Sequence, residues 1–167
     1  MYKVNDVVVY RRDVCKIVGK KRSDFTGEMC YILVPYYQQD GSIKMQVPVS
    51  NKAGNLRDLI TKKEINQLIK NTPSIKSLPN KPANMKSQYA TLLKGNDIAD
   101  LVCIIKTSYG RNKARKDQNK KTASIDDEYL QKAEKYLFDE IAVALGKDYD
   151  SAKAYFEKAV EKQKKKK

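Results

Sequence analysis

Histidine and tryptophan are both absent from this sequence. Without an imidazole there is no His general base, no Ser-His-Asp or Cys-His nucleophile pair and no His-bearing metal site. Only three cysteines occur, Cys15, Cys30 and Cys103, spaced far apart. They are too few for a four-thiolate zinc site and read as free thiols of a reducing compartment. The seven glycines form no phosphate-cradling loop. No apolar run approaches the ~18 residues of a membrane span, and Met1-Tyr2-Lys3-Val4 does not open an apolar leader. The carboxylates Asp126-Asp127-Glu128 sit where a helix is expected to start and suit its dipole. Asp139 and Glu140 are expected on the outer face of the same helix. Only a carboxylate–metal nuclease is left open as an enzyme, and a non-catalytic protein without cofactor, metal or small-molecule ligand is the expectation. It is expected to be soluble, cytoplasmic, monomeric and clear of membranes.

Lysine is what the chain has in excess. Lys+Arg number 34 against 20 Asp+Glu over 167 residues, a formal charge of +14. The excess is uneven: residues 1–70 carry net +6, residues 71–123 net +8 and residues 124–167 net zero. The densest run is Lys106, Arg111, Lys113, Arg115, Lys116, Lys120 and Lys121, broken only by Asp117. Such a cluster suits phosphate contacts, each of which releases a condensed counterion. The lysine tail from Lys162 to Lys167 is expected to be frayed and to attract any polyanion.

Two kinds of periodicity divide the chain. Val4–Tyr10, Val14–Val18, Met29–Val34 and Ile43–Val47 are short, β-branched or alternating runs, with turn signals at residues 24–27 and 39–42. They predict a small SH3-like or Tudor-like barrel. Thr61 and Glu64 form a capping box ahead of Ile65, Leu68 and Ile69. Residues 72–83 hold Pro73, Pro79 and Pro82 and read as a linker. About four helices are expected beyond it, with stripes on Tyr89, Leu92 and Leu93, closed by Gly95; on Ile98, Leu101, Val102, Ile105 and Tyr109, capped by Asn96; on Leu130, Ala133, Leu137, Ile141 and Ala144, started by Ser124; and on Ala152, Tyr155, Phe156, Ala159 and Val160. The predicted fold is α+β: a β-barrel domain with a terminal helix over 1–71, a linker over 72–83 and an all-α domain over 84–167.

Several segments, taken in order, carry a resemblance. Val4-Asn5-Asp6-Val7-Val8-Val9-Tyr10, Gly27 with Tyr31-Ile32-Leu33, Val47-Pro48 followed by Asn55-Leu56-Arg57-Asp58, and Glu64 form the first set. Asn84-Met85, Tyr89, Leu92, Gly95, Asn96-Asp97, Leu130-Gln131-Lys132-Ala133 and Glu140-Ile141-Ala142 form the second. Together they resemble the CarD/CdnL family of bacterial transcription regulators over nearly the whole chain. The resemblance implies a first domain like the polymerase-interacting module of transcription-repair coupling factors, docked on the β subunit of RNA polymerase. It implies a second domain on promoter DNA that stabilises the open complex, largely without reading sequence.

On that reading the polymerase side draws on Arg22, Ser23, Lys44, Gln46, Pro48 and Arg57, and the DNA side on Met85, Lys86, Arg111, Lys113, Arg115, Lys132 and Lys135. Met85 stands where the family has a minor-groove tryptophan, and is expected to project from a helix start as an apolar wedge. Arg11-Arg12-Asp13-Val14 departs from the family's Pro and His-Gly turn, and Gln46 from its arginine. The alternative is a free-standing, non-specific DNA or RNA binder without a polymerase partner; a second is an interaction protein whose lysines only solvate it.

Overall fold

The computed structural model describes residues 1–166, so Lys167 of the lysine tail lies outside the described residues. The fold is α+β, with a five-stranded antiparallel sheet followed by five α-helices among the described residues. The chain divides into two compact units, Met1–Leu59 and Ile60–Lys167. No helix among the described residues is long and apolar enough to cross a membrane.

The first unit is built from β1 (Val7–Tyr10), β2 (Asp13–Arg22), β3 (Met29–Pro35), β4 (Met45–Pro48) and β5 (Leu56–Asp58). Their order is β4-β3-β2-β1-β5. The expected barrel closure does not form. β4 pairs only with β3 and β5 only with β1, so the sheet is open and these short strands are its edges. β-branched residues favour the pleated, half-buried surface, and one face collects Val8, Cys15, Ile17, Tyr31, Leu33, Val47 and Leu56 into a core. A bulge between Ile17 and Gly19 shifts the register of β2 and leaves Val18 exposed. The β1–β2 loop is Arg11-Arg12, with φ of 47° and 76°. Two positive φ values are what a tight hairpin needs to match strand twist, a position commonly given to Asn-Gly. Here Arg11 donates its backbone N–H to Asn55 O and lays its guanidinium over the Tyr10 ring, while the Arg12 side chain is buried.

The second unit begins earlier than the proline content predicts. Its helices are α1 (Lys62–Asn71), α2 (Met85–Lys94), α3 (Ile98–Asp117), α4 (Ser124–Leu145) and α5 (Tyr149–Lys165). α1 carries the expected capping box: Thr61 Oγ1 accepts from Glu64 N–H at 3.1 Å, and Glu64 Oε1 accepts from Thr61 N–H at 3.1 Å. Its buried Ile65, Leu68 and Ile69 belong to the helical core rather than to the sheet. Each such burial is worth about 1.5–3 kcal/mol, which is why the boundary falls before the helix. Glu140, expected to face outward, is 1% exposed and accepts the Ile60 N–H at 2.9 Å.

Residues 72–83 are no free linker. Lys106 Nζ donates to Thr72 O and Ile75 O at 2.8 and 2.6 Å, Leu78 N–H donates to Thr107 Oγ1 at 2.9 Å, and the Cys103 thiol donates to Lys76 O at 3.3 Å. The segment therefore packs along α3. Two caps also differ from expectation. Asp97, not Asn96, caps α3 by accepting from Ala99 N–H, and α4 follows Ala123 without a side-chain cap. Gly95 does end α2, and Gly146, at φ 65°, closes α4 in the left-handed region that glycine reaches without strain. α5 runs into the lysine tail, so residues 162–165 are helical rather than frayed.

Candidate nucleic-acid interface

The basic run expected to bind phosphate divides into structural and available cations. Asp126, 0% exposed, is the centre of the first group. Arg111 Nε lies 3.1 Å from each of its carboxylate oxygens, and Tyr89 O–H donates to Oδ1 at 2.6 Å. Arg111 also donates to Asn80 Oδ1. Burial, and then the bond to Asp126, push the Tyr89 phenol well above its ordinary pKa. Its ring stacks on Tyr129 at a centroid distance of 5.1 Å. Arg111 thus joins α3 to α4, α2 and the 72–83 segment, and its charge is taken up inside the fold. The Asp126 carboxylate is held by this pair as well as by its place in the first turn of α4.

Arg115 is similarly engaged. Its Nε donates to Lys121 O at 2.8 Å, fastening the α3–α4 loop. Asn119, at φ 58°, ends α3 with Lys120 N–H on Arg115 O and Asn119 N–H on Lys116 O, a Schellman closure with asparagine in the left-handed position. Asn112 donates to Asp127 Oδ1 and accepts from Ala123 N–H, and Thr122 O–H donates to Asp127 Oδ2. The loop of residues 118–123 is therefore pinned at both ends. Lys113, Lys116, Lys120 and Lys121 are exposed on this frame and make no ion pair among the described residues.

The other expected DNA-side residues fare differently. Met85 is 1% exposed and sits in the helical core with Gln88 Nε2 3.4 Å from its sulfur, so it does not project. Its i+4 neighbour Tyr89 faces the same core, and one helix face cannot be both core and wedge. Lys86 beside it is exposed. Lys132 and Lys135 pair with Glu128 and Asp139 at 3.1 Å each, and each lies over a tyrosine ring. The bond to Glu128 holds the Lys132 ammonium above its ordinary pKa. These two lysines lie roughly 9 and 13 Å along α4 from the Asp126 contact, at 1.5 Å per residue, and do not join the α3 cluster. Lys132→Ala is expected to leave the salt slope of DNA binding unchanged in a titration across salt, since its ammonium is already paired with Glu128 and makes no phosphate contact that would release a counterion.

In the sheet unit, the residues expected to meet the polymerase fall into two places. Arg22 and Ser23 sit at the β2–β3 hairpin, and Pro48 joins them at that end of the sheet, because it pairs with Cys30 while Val49 N–H donates to Met29 O. Lys44, Gln46 and Pro48 are exposed at or beside the open β4 edge. Arg57 is half-buried on β5, the opposite edge and the opposite end, opposite Val9 in register. Ser23 is buried as a turn former: its Oγ accepts from Phe25 N–H and Thr26 N–H at 3.2 and 3.3 Å. Arg22 donates to Gly27 O at 2.7 Å, and Ser23 N–H donates to Glu28 O at 2.8 Å. This ordered turn presents Phe25, 98% exposed, a residue that turn chemistry alone did not single out. The available signal was an aromatic within a turn sequence, Asp24-Phe25-Thr26-Gly27, where no local rule needs one.

Cys15 and Cys30 are buried and Cys103 is partly buried. Burial pushes the Cys15 thiol up to about 12, and Cys103 is also raised, first by burial. A low-pKa thiolate is what reactivity needs. No family model matches the chain, and no curated protein matches it.

Proposed function

We propose that this chain is a non-catalytic transcription regulator: the sheet unit docks on the β subunit of a bacterial RNA polymerase, and the helical unit holds promoter DNA near the melted region. The observation that carries the DNA half is the group Lys113, Lys116, Lys120 and Lys121, exposed, without ion pairs among the described residues and fixed on an ordered helix-to-loop frame. Lysines on such a frame grip the backbone, not the bases, so binding is largely blind to sequence. The polymerase half rests on the ordered motifs of the first unit that resemble the CarD/CdnL family. Its support in the geometry is an exposed Phe25 on the ordered β2–β3 turn, at the end of the sheet where Pro48 stands on the open β4 edge, the kind of surface that takes a partner.

The test is binding of the full chain to purified bacterial core polymerase and, separately, to a promoter duplex. Four phosphate contacts predict log K falling against log salt with a slope of roughly −3 to −4. Lys113→Ala is expected to reduce that slope by about one and to weaken all sequences alike. A flat slope would sink the electrostatic claim even if binding persisted. Phe25→Ala is expected to weaken polymerase binding at least tenfold while the melting temperature stays at the wild-type value, because a side chain this exposed packs against nothing. A chain that binds DNA but no polymerase is the free-standing binder instead.

A further inference from the structure

The helical unit has one exposed large hydrophobic side chain among its described residues, Tyr109, at 62%. Helical spacing predicts it as core with Leu101 and Val102, which are buried, but further along α3 the buried line runs through Ile104, Ser108 and Asn112. Tyr109 lies one step round the helix from that line. Lys113 and Lys116 follow it at i+4 and i+7 on the same face, where neighbours at i+4 sit about 5–6 Å apart at Cβ. Both lysines are exposed and without an ion pair among the described residues. On the other side Tyr109 borders a groove of about 430 Å³ between α3, α4 and α5, whose apolar lining includes Val102, Ile105, Leu130 and Phe138. The groove's carboxylates are Glu134, Glu157 and Glu161. Lys153 Nζ lies 2.5 Å from Glu134 and 4.0 Å from Glu157, and Lys164 Nζ lies 3.5 Å from Glu161.

A tyrosine face set between unpaired lysines and an apolar recess is the arrangement that single strands use. The backbone follows the cations, and a base stacks on the ring. Duplex DNA keeps its bases stacked on one another and has no use for the phenol. An apolar protein helix would leave Lys113 and Lys116 without counter-charge. Resting on the proposed role in DNA binding, we infer that Tyr109 is a stacking platform for an unpaired base of single-stranded DNA, with Lys113 and Lys116 holding the adjoining phosphates. The recess beside the ring gives the base an apolar place to turn into.

The experiment titrates the full chain with a 20-nucleotide oligo-dT and with a 20-base-pair duplex at low salt, for wild type and for Tyr109→Ala, Tyr109→Leu and Tyr109→Phe. A stacked base contributes about 1–3 kcal/mol by alanine substitution, which is roughly 5- to 150-fold in affinity. Tyr109→Ala is therefore expected to lose at least fivefold on oligo-dT and less than twofold on duplex, with the salt slope unchanged. Tyr109→Phe keeps the ring and is expected to bind as wild type. Tyr109→Leu keeps apolar area without a π face and is expected to behave like the alanine variant. The exposed position makes all three fold, which a melting curve checks. Oligo-dT affinity unchanged in Tyr109→Ala, or an equal loss on duplex, overturns the stacking role. A wild-type chain that binds duplex but not oligo-dT also overturns it while leaving the DNA reading intact, and a chain that binds neither overturns the DNA reading itself.

Discussion

Arg111→Ala is expected to destabilise the helical unit by about 3–5 kcal/mol, the range measured when one partner of a buried ion pair is removed. The reason is the Asp126 carboxylate, which is fully buried and would keep only the Tyr89 hydroxyl as a donor. Removing the guanidinium strips the buried carboxylate of its only cationic partner among the described residues, so most of its charge is left uncompensated. The same change frees Asn80 and loosens the 72–83 segment. A melting temperature lower by roughly ten degrees or more should accompany it, at a few degrees per kcal/mol for a unit of this size. Tyr89→Phe removes one hydrogen bond to a charged acceptor and is expected to cost about 1.5–3 kcal/mol. The readout is chemical denaturation alongside a DNA salt titration. If Arg111→Ala melted like wild type and lowered the salt slope by about one, Arg111 would be a phosphate contact and the buried pair would not be holding the fold.

Met85→Ala is expected to cost about 2–5 kcal/mol, the sum of lost transfer energy and the cavity left behind. Met85 has almost no exposed surface and shares its core with Tyr89. Met85→Leu conserves volume and is expected to cost less than about 1.5 kcal/mol. Met85→Trp is the more telling variant. As a wedge in DNA it would lengthen the life of the open complex, since an indole covers more of an unstacked step. As a core residue it is overpacked and is expected to lose about 1–3 kcal/mol. Promoter open-complex lifetime and denaturation midpoint, measured on the same preparations, separate the two. A stable Met85→Trp protein with a lengthened open complex would return the side chain to the DNA.

Where sequence and structure part, the divergence has a consistent cause. The capping box at Thr61 and Glu64 and the apolar trio Ile65, Leu68 and Ile69 were legible because both are local: the bonds close within one turn, and the trio repeats at helical spacing. The strand runs were legible for the same reason, apart from β5, whose three residues are too short to show a period. On α3 the expected stripe holds through Ile98, Leu101, Val102 and Ile105 and fails only at Tyr109. The helix's inward face carries Thr107, Ser108 and Asn112, which are buried because Thr107 and Ser108 bond back to carbonyls one turn earlier and Asn112 meets Asp127. A hydrophobic pattern has no means of placing polar residues in a core, so it extended the stripe one residue too far, onto Tyr109. Met85 held a signal that went unused: Tyr89 four residues on shares its face, and a core tyrosine draws its neighbour inward.

By itself the sequence determined what depends on residue type and near spacing: an α+β chain, sheet first and helices after, no imidazole chemistry, and an excess of lysine concentrated between residues 71 and 123. Tertiary structure alone decided which of those cations face solvent. Charge counts Arg111, Arg115 and Lys106 equally with Lys113 and Lys116. Packing sets them apart, because a cation beside a buried carboxylate or an unsatisfied carbonyl is worth more there than in water. It likewise decided that the sheet stays open, since closure depends on whether two edge strands distant in sequence meet, and that a turn phenylalanine and a helix tyrosine are left bare.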